Sequence, residues 1–159
     1  MSDLFVSLDA LGVAYHTHEH PPVFTVEQSR EHWAAIDAAH TKNLLLKDAG
    51  GAFWLVVMPA DAPLDLKSLP PRIGAKRLRF ASGEDLRRLL GVESGAVSAF
   101  ALVNDHDHEV RLVLDRRIAD APRVALHPLD NARTTVISAD DLGRFLASIG
   151  VSPLVADLA

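Results

Sequence analysis

The chain has 159 residues, 48% hydrophobic and 23% charged, a balance that makes one globular domain spanning residues 1–159 and excludes a disordered or fibrous segment. Cysteine is absent, which removes disulfide frameworks, thiolate metal sites and cysteine nucleophiles together. The net charge of −5 argues against binding duplex nucleic acid through overall charge, no apolar run approaches the ~18 residues of a membrane span, and the start of the chain lacks a basic leader, so a soluble, cytoplasmic, monomeric protein is expected.

Ser2 opens an amphipathic segment with Leu4, Phe5, Leu8 and Leu11 on one face, and Gly12 stands where a helix cap belongs. Residues 13–18 then read as a short strand, and two prolines stiffen the connection that follows. Thr25 and Gln28 have capping-box spacing, which predicts a second helix running toward Ala35. Leu44–Leu46 and Phe53–Met58 are apolar runs split by Gly50-Gly51, the pattern of a buried hairpin. Leu64–Pro71 reads as a short helix stopped by two prolines, and Lys76–Phe80 as a half-exposed strand. Ser82 caps a helix that closes at Gly91. Beyond a glycine-bearing loop, Ala101–Val103, Val110–Leu114, Arg123–Leu126 and Thr134–Ile137 read as strands, and Ser138 with Asp141 starts a last helix that ends at Gly150. Helices and short strands intersperse without a regular βαβ repeat, so the expected class is α+β (mixed α/β) around one sheet.

Charge is unevenly spread. Between Lys67 and Arg88 seven basic residues face two acidic ones, which either forms an ordinary solvated face or suits a restricted anionic partner. His16, His18 and His20 are spaced two apart, so a strand aims all three at one side; that spacing fits a zinc site and equally fits polar residues on an exposed strand. No G-x-S-x-G elbow, Walker loop or G-x-G-x-x-G fingerprint is present. What remains is a polar set beside apolar strands. Lys42, between Thr41 and Asn43 at the mouth of the LLL run, either caps a strand end in solvent or projects into a cleft, and His127 ends another strand close to Asn131.

In order along the chain, HPPVFTVEQ (20–28), TKNLLLKD (41–48), GAVSAFALVND (95–105) and HPLDNARTTVISADDL (127–142) resemble the YbaK/ProX family of aminoacyl-tRNA deacylases, and within it the free-standing prolyl-tRNA editing proteins that hydrolyse alanine mischarged on proline tRNA. The resemblance runs from the first helix to the last. It implies a single domain with a central, largely antiparallel mixed sheet flanked by helices, and metal-independent hydrolysis without a cofactor. It places Lys42 and Asn43 as catalytic residues and Thr25, Ser98, Phe100, Asn104, His127 and Asn131 around the aminoacyl pocket. Ala96, Ala99 and Ala101 depart from the family pattern in the glycine loop, which bears on pocket shape.

The implied reaction is hydrolysis of an activated ester, so positioning and charge stabilisation can suffice without a strong nucleophile. Lys42 serves as a cationic donor to the terminal nucleotide or ester carbonyl, with Asn43 assisting; a general base of lowered pKa is the alternative. The attacking water is activated by a ribose hydroxyl of the substrate or by a backbone carbonyl. A synthetase pocket built for proline discriminates poorly against alanine, because lost apolar contact is worth about 1–3 kcal/mol per methylene; a smaller second sieve, shaped by His127 with Val97, Phe100 and Leu129, excludes proline. Val97 and Phe100 serve equally well as plain core. Lys47, Lys76, Arg77 and Arg79 are the candidates for contacting the acceptor end of tRNA(Pro), and a prolyl-tRNA synthetase partner stays open. Two competing classes are a non-catalytic tRNA- or synthetase-binding relative of the same fold and a metal hydrolase built on His16, His18 and His20.

Overall fold

The structure, a computed structural model, describes residues 4–20 and 38–158. The helix expected from Thr25, and Thr25 itself, lie outside the described residues. The elements in chain order are α1 (Leu4–Ala10), β1 (Tyr15–Glu19), β2 (Ala39–Asp48), β3 (Phe53–Pro59), α2 (Leu69–Ile73), β4 (Leu78–Phe80), α3 (Gly83–Leu90), a 3-10 helix (Ala99–Asn104), β5 (Val110–Asp115), α4 (Arg116–Ala119), β6 (Arg123–Leu126), β7 (Arg133–Ser138), α5 (Ala139–Ser148) and β8 (Leu154–Ala156). Among the described residues the strands form one mixed sheet in the order β1-β7-β6-β2-β3-β5-β8, with β4 paired to β2. The pairs β1–β7, β6–β7, β2–β3 and β2–β4 are antiparallel, and β2–β6, β3–β5 and β5–β8 are parallel. No helix of the described residues is long and apolar enough to cross a membrane.

The alternation of β2 and β3 builds two cores. Leu45, Leu55 and Val57 face a large cluster closed by Leu4 and Leu8 of α1, Leu86, Leu89 and Leu90 of α3, the 3-10 helix, and Leu142, Phe145 and Leu146 of α5. Leu46, Trp54, Val56 and Met58 face a smaller cluster closed by Leu69 and Ile73 of α2. Because β3 is covered on both sides, its sequence is a continuous apolar run, and each fully buried aliphatic side chain contributes roughly 1.5–3 kcal/mol. The expected hairpin at Gly50-Gly51 is present, and Ser82 and Ser138 both cap as predicted, each accepting a bond from the residue three places on.

Three local expectations are corrected. Pro70 and Pro71 start α2 rather than stopping a helix before it, because the first turn has no intrahelical N–H bonds to lose. Ala101–Val103 belongs to the 3-10 helix; a short apolar run buried all round carries no period that separates helix from strand. Only Leu78–Phe80 of the stretch 76–80 pairs as a strand, which leaves Lys76 and Arg77 outside it. The short elements α4 and β8 are additional to the sequence expectation.

Candidate active site

The site forms where two neighbouring strands part. β2 and β6 pair in parallel at Ala39–Val124 and His40–Ala125, and beyond those pairs β6 ends while β2 continues beside β3. The resulting cleft is lined by His40, Thr41 and Asn43 from β2, Ala125, Leu126 and His127 at the end of β6, and Thr134 from β7. A crevice beyond the carboxyl end of a sheet strand is a recurrent place for ligands, because backbone and side-chain groups there are not consumed by the ladder.

One wall is a chain of hydrogen bonds. The Thr41 hydroxyl donates to the Ala125 carbonyl at 2.8 Å, Asn43 Nδ2 donates to Thr41 Oγ1 at 3.0 Å, and Asn43 Oδ1 accepts the Ala99 N–H at 3.0 Å. Asn43 therefore ties β2 to the start of the 3-10 helix, directly after Ser98. Across the cleft stand His127, which opens the 127–132 connection, and Thr134. His127 Nδ1 lies 2.9 Å from the Arg133 carbonyl, which only accepts, so Nδ1 carries the proton and Nε2 is the ring's acceptor in the neutral form. Burial pushes the His127 imidazole down; the Arg133 carbonyl and Asp130 pull it back and His20 adds to the lowering, which leaves it below the ordinary histidine value. The loop is braced by Asp130, whose Oδ2 accepts from Arg133 Nε and Nη2 and whose Oδ1 accepts the Ala132 N–H. Leu129 adopts φ +71, a conformation costly for a branched side chain, within this same connection.

Lys42 is placed differently from Asn43. On a strand adjacent side chains point to opposite faces, and Lys42 pairs with Met58 of the smaller core while Asn43 pairs with Val57 of the larger. The Lys42 ammonium donates to the Ala62 carbonyl. Burial lowers its pKa, and Asp61 partly offsets that. Lys42 and Asn43 thus leave β2 on its two opposite faces, with Asn43 on the cleft.

Of the expected pocket residues, His127 lines the cleft and Asn131 sits half-buried in the connection that carries it. Phe100, expected either at the pocket or as plain core, is core: it is fully buried, with its ring 5.6 Å from that of Phe145. Asn104 is likewise structural, since its Nδ2 donates to the Leu90 carbonyl at 2.8 Å at the end of α3. Ser98 is fully buried, and its hydroxyl has no hydrogen-bond partner among the described residues. Thr134, His40 and Thr41 enter the site without having been singled out for the pocket; only the register of β7 against β6, which continues from Leu126–Thr135 to set Thr134 across from His127, brings the first of them there. Of the basic candidates, Lys47 and Arg79 face each other across β2 and β4, with the Lys47 ammonium and the Arg88 guanidinium both over the Phe53 ring at 5.3 and 5.6 Å. Lys76 and Arg77 are exposed, and Lys76 lies over the Gly50 turn. His16 and His18 stack edge to face at 4.4 Å, and among the described residues no group of three or more His, Asp or Glu side chains is placed to hold a metal ion. A larger cavity of about 370 Å³, beside Trp54, His108 and Arg111, borders none of the predicted site residues.

Residues 20–145 match the sequence profile of the aminoacyl-tRNA editing domain. The chain belongs to this family. It is 38% identical over 152 residues to the prolyl-tRNA editing protein ProX of Acetoanaerobium sticklandii, covering 92% of this chain and 90% of that protein. It is also 38% identical over 150 residues to prolyl-tRNA synthetase associated domain-containing protein 1 of Danio rerio, covering 93% and 82%. A solved structure described as a candidate trans-editing enzyme for prolyl tRNA synthetase superposes with a TM-score of 0.70 at 20% identity, over 100% of this chain and 99% of that one. That likeness shows the fold, the mixed α/β sheet of editing domains. The matched span begins at His20 and includes both walls of the cleft.

Proposed function

We propose that this chain is a trans-editing hydrolase that removes alanine from mischarged tRNA(Pro). The observation that carries the reading is the cleft between β2 and β6, whose walls are hydrogen-bonded into place and whose histidine is fixed as a neutral acceptor. The cleft is small and lined by Thr41, Asn43, His127 and Thr134, which supports selection of a small aminoacyl side chain over a bulkier one. Kinship with a prolyl-tRNA editing protein supports the tRNA, and a relative associated by name with prolyl-tRNA synthetase supports that enzyme as a partner.

In this reading the alanyl ester enters beside Thr41 and Thr134. Water adds to the ester carbonyl, the bond to the ribose oxygen breaks, and that oxygen leaves with a proton. His127 Nε2 accepts a hydrogen bond from the water, and a ribose hydroxyl of the substrate takes part in moving the proton. Lys42, on the other side of the β2 wall, offers its partly buried ammonium to the terminal nucleotide of the tRNA. No group of this scheme calls on a metal.

The test is release of alanine from alanine-charged tRNA(Pro) by wild type and Lys42→Ala, with proline-charged tRNA(Pro) and added chelator as controls. Chelator-insensitive release that spares proline and falls at least a hundredfold in the variant supports the proposal. Binding of the tRNA with no release by wild type overturns it in favour of a non-catalytic binding module.

A further inference from the structure

His20 N donates to the Ala132 carbonyl at 2.9 Å, which extends the β1–β7 ladder one step past Glu19–Arg133. From there its side chain returns along the strand, and Nε2 lies 2.7 Å from the Thr134 hydroxyl. Thr134 is 6% exposed and lines the cleft. The His20 ring also stands 6.2 Å, centre to centre, from the ring of His127. Strand pairing here is made by backbone groups, so it does not need this side-chain bond. A buried hydroxyl costs free energy unless it is bonded, and valine would fill the same place on a strand without that demand. The polar pair is therefore explained by what it presents to the cleft.

We propose that His20 is a positioning residue of the editing cleft, fixing the Thr134 hydroxyl in one orientation beside His127 so that it offers a defined hydrogen-bonding atom to the aminoacyl group. The inference rests on the deacylase reading above. A hydroxyl rotor left free samples several directions, whereas one tied to an imidazole nitrogen is set before substrate arrives. The sense of the bond follows the His20 tautomer. In either sense the orientation is fixed, and its loss is felt in the chemical step.

A control is built into the same two strands. Thr17 and Thr135 make a hydroxyl pair at 2.8 Å on the other face of β1 and β7, and Thr135 is fully buried outside the cleft.

The experiment is steady-state deacylation of alanine-charged tRNA(Pro) by wild type, His20→Leu, His20→Gln, Thr134→Val, the double variant of His20→Leu with Thr134→Val, and Thr135→Val, with thermal unfolding of each. We expect His20→Leu and Thr134→Val each to lower kcat about tenfold with KM within twofold, and the double variant to be no worse than either single. His20→Gln, whose amide can still bond the hydroxyl, recovers most of kcat. Thr135→Val lowers Tm without lowering kcat. Additive losses, a fall confined to Tm, or full activity in Thr134→Val overturns the positioning role while the deacylase reading stands. An inactive wild type overturns the deacylase reading, and this inference with it. Should His20→Leu fail to fold, Thr134→Val and His20→Gln decide the question by the same kcat criterion.

Discussion

His127 gives its Nδ1 proton to a backbone carbonyl and is pushed toward the neutral ring by burial, with the Arg133 carbonyl and Asp130 opposing and His20 reinforcing. If Nε2 works as an acceptor, protonation ends its role, so kcat/KM for deacylation should be level at neutral pH and fall in acid. The lowered pKa sets the sign: the midpoint lies below the ordinary histidine value of about 6.5, and His127→Ala should flatten the profile once spontaneous ester hydrolysis is subtracted. A midpoint above that value would count against the neutral-acceptor role. The same preference has a stability consequence. The unfolded chain takes up the proton first as pH drops below about 6.5, so the contribution of His127 to stability is full above that pH and declines toward its lower folded value. At this scale the sequence singled out Lys42, Asn43 and His127 through motif and resemblance, because each sits in a distinctive polar block beside an apolar run; the structure sets Asn43 and His127 on the cleft and Lys42 on the opposite face of β2. Phe100 stayed open between pocket and core since nothing in a sequence separates a ring that lines a pocket from one that fills a core, and Thr134 was missed since its place beside His127 depends on the pairing register of β7 with β6, which no motif marks.

The Gly50-Gly51 hairpin shows how far element-level reasoning reaches. Its turn was legible from the two glycines between apolar runs, but the side chain that holds it was not. Asp48 is 6% exposed, and its carboxylate accepts from the Gly50, Ala52 and Lys76 N–H groups and from Trp54 Nε1, so one residue joins β2, β3 and the segment leading to β4. Burial alone would raise its pKa; the four hydrogen bonds outweigh that and hold it below the ordinary carboxylate value. Replacing it with alanine strands several of these donors and should destabilise the fold by about 2–3 kcal/mol, read as a lower urea midpoint at unchanged m. Because the folded pKa is depressed, this contribution is fully present above about pH 4 and is lost as pH falls through the lower folded value, and Asp48→Ala should remove that part of the acid dependence. A variant as stable as wild type would show that water replaces the carboxylate without cost. The element boundaries that went wrong, α2 and the 3-10 helix, share a cause: both are short segments in which local preference is weak and packing against the sheet decides.

Over the whole molecule, the proposed function asks an acidic chain to meet a polyanion. The net charge of −5 repels RNA at long range, so binding depends on where the cations stand. Lys47 and Arg79 are directly opposite on adjacent strands, an arrangement that costs stability unless something anionic lies over it, and six positions separate Lys47 from Thr41 along β2, about 20 Å at strand rise. Under the proposed function the Lys47–Arg79 pair, at the end of β2 remote from the cleft, is a candidate contact for a phosphate of the charged tRNA. Charge reversal at either position, Lys47→Glu or Arg79→Glu, should raise KM for charged tRNA(Pro) severalfold and reduce the slope of log KM against log salt, while costing much less on a minimal aminoacyl ester that ends short of the pair. The opposite-charge neighbours temper the effect: Arg88 is already engaged by Glu109 at 3.3 Å, so reversing it should matter less. Equal loss on tRNA and on the short ester would place these cations in folding or in the cleft itself. A loss confined to tRNA, growing as salt is lowered, would assign the Lys47–Arg79 pair to a phosphate contact with the tRNA.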